Sequence, residues 1–251
     1  MPRQARRDAS GVLHHIVGRE VRRTLGSLGM SRQAWGPLLA LCAGTVLLWA
    51  SAGAEPIPAL RRPSDVAPPA TLTRKPTTGL RMGSFQVRFE KTKLDDVRRA
   101  AGFVGVIEHE GDASESVYWL CYTVPGSQHS ARVWIIAHGE MGGPEHLVTG
   151  VRAVRGVSSV SPVSSCPLLP RALRPVSFEG GLWLNASAQN LSARFGAPSA
   201  KGAGWWSYAY AGKAPGLHQG APVEYDVLSL FEAKVERGRV VAIIASQVTS
   251  Y

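Results

Sequence analysis

Catalytic signatures are what this chain has least of. It contains no Gly-x-Ser-x-Gly, so a serine nucleophile on a strand-to-helix elbow is not signalled. Its glycine clusters are not followed by Lys-Ser/Thr, so a phosphate-cradling loop is not signalled either. Cysteine is scarce, three in 251 residues, with no Cys-x-x-Cys and no His beside Cys121 or Cys166, so a reactive thiol has no support. Dense basic runs are missing as well. Formal charge is +10, but Met1–Ala54 carries seven Arg against only Asp8 and Glu20, so half of the excess sits there. The remaining basic residues are scattered, which reads as a solvated surface and argues against a nucleic-acid partner. No apolar run reaches the ~20 residues that a membrane-spanning helix needs.

One apolar run is present. Pro37–Trp49 reads PLLALCAGTVLLW and leads into Ala50-Ser51-Ala52-Gly53-Ala54, then Glu55-Pro56. A basic flank, an apolar stretch and an A-x-A ending make a secretory signal. Residues 1–54 are therefore expected to be a signal peptide cleaved after Ala54, with Met30-Ser31-Arg32-Gln33 as a compact basic start and Met30 as the initiator. No stable membrane span is expected after cleavage; an uncleaved anchor is the rival. Loss of the signal removes Cys42 and leaves Cys121 and Cys166, an even pair that suits a disulfide in an oxidising compartment. Two buried free thiols are the alternative.

Composition then divides the exported part. Residues 55–80 hold Pro56, Pro58, Pro63, Pro68, Pro69 and Pro76 and no aromatic residue, the pattern of an extended tether. Residues 156–175 are a second Pro/Ser-rich stretch. Between and beyond these lie segments 81–155 and 176–251. In the first, an alternating run Phe85–Phe89 leads to Thr92 as helix cap and then Leu94–Ala101, with acids in its first turn, bases in its last and Gly102 after it. Strands are expected at Val117–Val124 and Ala131–Ala137. In the second, Gly181–Leu184 precedes a helix from Ser187 to Phe195, stopped by Gly196-x-Pro198. Strands are expected at Trp205–Ala211, Tyr225–Lys234 and Arg239–Val248. The shared order suggests an internal repeat. The expected fold class is α+β, with two tandem modules, each of short helices packed on an antiparallel β-meander.

The stretch Leu184–Pro198, with Leu191, Phe195-Gly196 and Pro198, followed by Trp206-x-Tyr208 and Gly238-Arg239-Val240, resembles a module of the small outer-membrane-assembly lipoproteins (SmpA/OmlA type). Tandem copies occur in β-lactamase inhibitor proteins. The resemblance covers 181–248, and 85–137 loosely. It implies a helical hairpin on an antiparallel sheet that acts by protein binding. The first half has Ala101-Gly102-Phe103 in place of the Phe-Gly-x-Pro turn, and no lipidated Cys is evident, so the family's partners do not carry over.

Three groups of residues are candidates for function. His138-Gly139-Glu140-Met141-Gly142-Gly143-Pro144-Glu145-His146 sets two His and two Glu within nine positions. A metal would be held there by His138, Glu140 and His146, although Gly-Gly-Pro denies them a helix and a surface or partner-binding loop is the simpler reading. Glu108-His109-Glu110-Gly111-Asp112 is a similar cluster that reads as a solvated turn. Trp206, Tyr208 and Tyr210 fall on one face of a strand, either a binding surface or core beneath the helix. No catalytic residue and no cofactor is assigned. The sequence points to an exported protein of the bacterial envelope, periplasmic or secreted, that binds or scaffolds another envelope protein without catalysis. A metal-binding protein or metal-dependent enzyme using the His138–His146 loop is the alternative.

Overall fold

The computed structural model describes residues 56–60, 68–112, 116–126, 129–139, 145–156 and 165–250. The signal segment, its cleavage point at Ala54, and Glu140 lie outside them. Strand accounts for 51% and helix for 13% of these residues, so the protein is mostly β and the expected α+β class is corrected. Alternation of apolar and polar residues at period two is what the strands share. In chain order they are β1 (Gly79–Met82), β2 (Phe85–Arg88), β3 (Glu108–Gly111), β4 (Ser116–Val124), β5 (Ala131–Gly139), β6 (Gly150–Arg155), β7 (Val176–Ser177), β8 (Ala200–Gly202), β9 (Trp205–His218), β10 (Ala221–Glu236) and β11 (Arg239–Ser250). Two α-helices interrupt them, α1 (Leu94–Ala100) and α2 (Ala188–Phe195).

Two separate meanders are not what forms. A single eight-stranded antiparallel sheet runs β3-β4-β5-β6-β11-β10-β9-β8, and a small sheet runs β2-β1-β7. The last strands of the two halves pair directly, from Ala242 opposite Val154 to Ser246 opposite Gly150. The registers then align one rung across six strands: Leu120, Ile135, Val151, Ala245, Phe231 and Tyr208. None of these six is more than 1% exposed. A neighbouring rung repeats the arrangement with Tyr122, Val133, Ala153, Ile243, Ala233 and Trp206. Each half exposes an apolar face that neither can bury alone, and joining the sheets makes one core of both.

That core is covered by Leu94 and Val97 of α1, by Leu80, Met82 and Val176 of the small sheet, and by Leu191 of α2. The caps explain where the helices start. Ser187 accepts from the Asn190 amide at 3.1 Å and Gly196 ends α2 at φ 77, as its sequence predicts. α1 instead starts from Lys93, whose amide donates to Asp96 Oδ2 at 3.0 Å. Thr92 is turned away from the cap and accepts from the Arg88 amide at 2.8 Å. Arg98 and Arg99 pair with Asp95 and Asp96 as their spacing predicts.

The Pro-rich segment is not a free tether over its described residues. Leu72 donates its amide to the Ala209 carbonyl at 3.1 Å, Thr77 is fully buried, and Leu80 belongs to β1. On the other face of the sheet, Ile57 and Leu60 pack against two smaller apolar clusters, and Arg152 donates to the Pro58 carbonyl at 2.8 Å. The disulfide is present there: Cys121 and Cys166 are bonded, with Cα atoms 4.7 Å apart. It fastens residues 166–169 along β4, where Thr123 donates its hydroxyl to the Cys166 carbonyl at 2.8 Å and accepts the Leu169 amide at 2.9 Å.

Ile243→Ala should lower stability by about 2–5 kcal/mol, with urea unfolding still one transition by near-ultraviolet dichroism and by tryptophan fluorescence. Two separated transitions would show that the halves fold independently. Opening the Cys121–Cys166 loop, which spans 45 residues of sequence separation, by replacing both with Ser should cost about 4 kcal/mol on the chain-entropy account, read as a shift of the same curve.

Candidate functional site

The face of the sheet that carries the core turns polar at its third rung, Tyr210, Ser229 and Gln247. Glu90 reaches this region from the turn between β2 and α1. Its backbone takes the left-handed conformation, φ 57, uncommon for a residue with a Cβ. The carboxylate is fully engaged: Gln247 Nε2 donates to it, as do the Thr249 amide and hydroxyl, each of the last two at 2.6 Å. Glu90 thus fixes the end of β11, a structural use of a charged group.

Beside it opens a cleft of about 760 Å³, lined among others by Lys75, Glu90, His138, His146, Pro215 and Gln247. Strand β5 and the chain before β6 bring His138 and His146 to this cleft. His138 Nδ1 lies 2.8 Å from Thr149 Oγ1. His138 is exposed as a residue, yet packing around its ring, and secondarily the Arg152 guanidinium, lowers its pKa to about 4, so the ring is neutral at pH 7. His146 Nε2 is buried without a hydrogen-bond partner. Its approach needs a bare backbone beneath it: a Cβ at Gly139 would lie 2.3 Å from His146 Cε1. Lys93 and Glu145 form an ion pair beside the cleft.

The two charged clusters of the sequence meet through one tyrosine. His109 of β3 stacks on Tyr118 at 4.4 Å between ring centroids, and Tyr118 packs against His146 at 4.6 Å. Glu108–Gly111, expected as a solvated turn, is the edge strand β3. Among the described residues no group of three or more His, Cys, Asp or Glu is gathered closely enough to hold a metal ion. The proposed ligand Glu140 lies outside those residues, so the set His138, Glu140 and His146 is seen only in its two histidines.

The aromatic strand resolves in favour of core. Tyr208 is fully buried and its ring packs 4.8 Å from that of Phe195, with its pKa pushed up by burial to about 12. Trp206 is half-buried against the same cluster, with Lys201 Nζ 3.7 Å from its ring centroid. Tyr210 is half-buried at the polar rung. These three residues do not make an open aromatic surface.

Sequence reasoning missed two features. One is Glu90, whose neighbours Lys91 and Thr92 give no sign of the turn it makes. The other is the long ribbon that β9 and β10 form together. Among the described residues Ala221–Tyr225 pairs there with Ala214–His218 alone. Leu217 on this ribbon is 67% exposed. The alternation within 212–225 was the available signal, masked by Pro215 and Pro222, which at sheet edges block pairing with other chains. No family model, curated protein or solved structure matches the chain.

The pH dependence of stability follows from His138. Its folded pKa lies below the unfolded value of about 6.5, so the unfolded chain takes up the proton first as pH falls. The contribution of the neutral ring is present above pH 6.5 and is lost towards pH 4. Urea midpoints measured from pH 7 to 4.5 should fall less steeply for His138→Gln than for the unaltered chain; parallel curves would remove His138 from the account.

Proposed function

We propose that this chain is an exported protein of the bacterial envelope that binds another protein and performs no catalysis. The observation that carries the reading is the β9–β10 ribbon. It is held in register along its length and offers Leu217 to solvent beside an open cleft of mixed charge. An exposed apolar side chain on a paired strand, with a polar rim, suits a docking surface. Two further observations support the compartment. A basic flank, apolar run and Ala-Gly-Ala ending stand before residue 55. The Cys121–Cys166 bond suits an oxidising environment. Among the described residues no helix is long and apolar enough to cross a membrane. The resemblance of residues 181–248 to an envelope binding module agrees, and the order helix then four strands in each half supports an origin by duplication.

A second reading keeps the two histidines. His138 and His146 share one cleft, His138 is in the neutral form that metals require, and His146 Nε2 lacks a partner. Their chemistry suits a borderline cation, and Glu140 is the residue that would complete the set.

A photo-crosslinking side chain at Leu217, in cells that export the protein, tests the first reading. One discrete protein adduct is expected from Leu217 and none from a control position at Arg171. No adduct at Leu217, or the same ladder from both, counts against binding at the ribbon. Stoichiometric metal retained by the purified chain and lost on His138→Ala would establish the second reading instead.

A further inference from the structure

A second, smaller cavity of about 110 Å³ lies where residues 72–76 cross the end of α2, with Thr73, Arg74, Lys75 and Arg194 among its walls. Three cations therefore surround one small polar space. Their nearest compensation is Glu179, whose Oε2 stands 3.5 Å from Arg194 Nη2 while Oε1 is taken by the Thr78 amide and hydroxyl. Arg74 and Lys75 have no acidic partner among the described residues, and Lys75 is half-buried.

Arg194 is held against the chain on one side of this space. Its Nε is buried and donates to nothing. The backbone of Gly180 closes over that edge, since a Cβ there would lie 3.2 Å from Nε. Three like charges around one cavity repel one another. An anion with several oxygens offsets that repulsion, because a guanidinium fork matches carboxylate and phosphate geometry. The C-terminal end of α2 opposes an anion, but with a partial charge of only about half a unit. Three cations against Glu179 and that half-charge leave the cavity positive.

We propose that this cavity is an oxyanion site, in which Arg74, Lys75 and Arg194 hold a phosphate, sulfate or carboxylate group. The site goes beyond the protein-binding reading and does not depend on it. The bound group is either a free ion or the charged end of a larger molecule, and the hydrogen-bonding chemistry is shared.

The test titrates the full chain with sodium phosphate, sodium sulfate and sodium acetate, each against sodium chloride at matched ionic strength. The Arg194 Nε–H and the Lys75 amide are followed by nuclear magnetic resonance. At least one oxyanion should shift both signals saturably while chloride does not, and Arg194→Gln should weaken that binding about tenfold or more, the loss of one charge-assisted bond. Phosphate and sulfate acting without acetate would assign a tetrahedral ligand; acetate acting as well would admit a carboxylate-bearing one. Arg74→Gln, on an exposed side chain, serves if Arg194→Gln does not fold, with the same direction expected. No saturable shift with any of the three, or unchanged affinity in the folded variant, overturns the site.

Discussion

The pairing of β6 with β11 is the contact on which the rest of the structure depends. Five residue pairs, Val154 with Ala242 through Gly150 with Ser246, turn two four-stranded meanders into one sheet. A meander with one apolar face and an open inner edge has two liabilities: an unburied surface and an unpaired row of backbone groups. Joining the edges satisfies the backbone of both, and the rungs that result pass through Val151 and Ala245, or Ala153 and Ile243, without a polar break. The outer edges are left to short strands, β3 with its glutamates and β8 with three residues, which offer little to a passing chain.

Once the sheet is continuous, its second face must be dealt with, and the chain does so with covalent and polar means. A rung on that face reads Cys121, Trp134, Arg152, Ile244, Glu232 and Ser207. Charged residues on a sheet this enclosed need partners. Arg152 donates to the Pro58 carbonyl and Glu232 accepts the Ser207 hydroxyl at 2.7 Å. Residues 56–60 and 165–169 lie over the apolar remainder, and the disulfide holds the second of these in place. Among the described residues no helix packs there.

Much of this was legible element by element. α2 announced itself by Ser187 and Gly196, and β4, β5, β10 and β11 by long β-branched and aromatic runs. β6 was not legible: Gly150-Val-Arg-Ala-Val-Arg is six residues with a glycine and two arginines, and its buried side chains are small. Yet it is the strand that joins the halves, so the expectation of two separate meanders failed on one short element whose role is set by its partner. The residues of 68–80 failed for another reason. Proline content describes a whole segment, whereas burial of Thr77 and Leu80 is decided by what each touches across the sheet. At the site, the histidines were found because they are chemically conspicuous, while Glu90, Arg194 and the ribbon act through long-range geometry. Glu90 meets Gln247 across 157 residues of sequence, a contact that spacing does not encode.

Hydrogen exchange across the junction tests the central claim most directly. If β6 and β11 weld the halves into one cooperative sheet, the ladder amides within Gly150–Arg155 and Ala242–Ser246 exchange only through global unfolding, as slowly as those of β4 and β5. If those junction amides exchange through a local opening while both meanders stay protected, the two halves are separate units in contact, and the account built on their union is wrong.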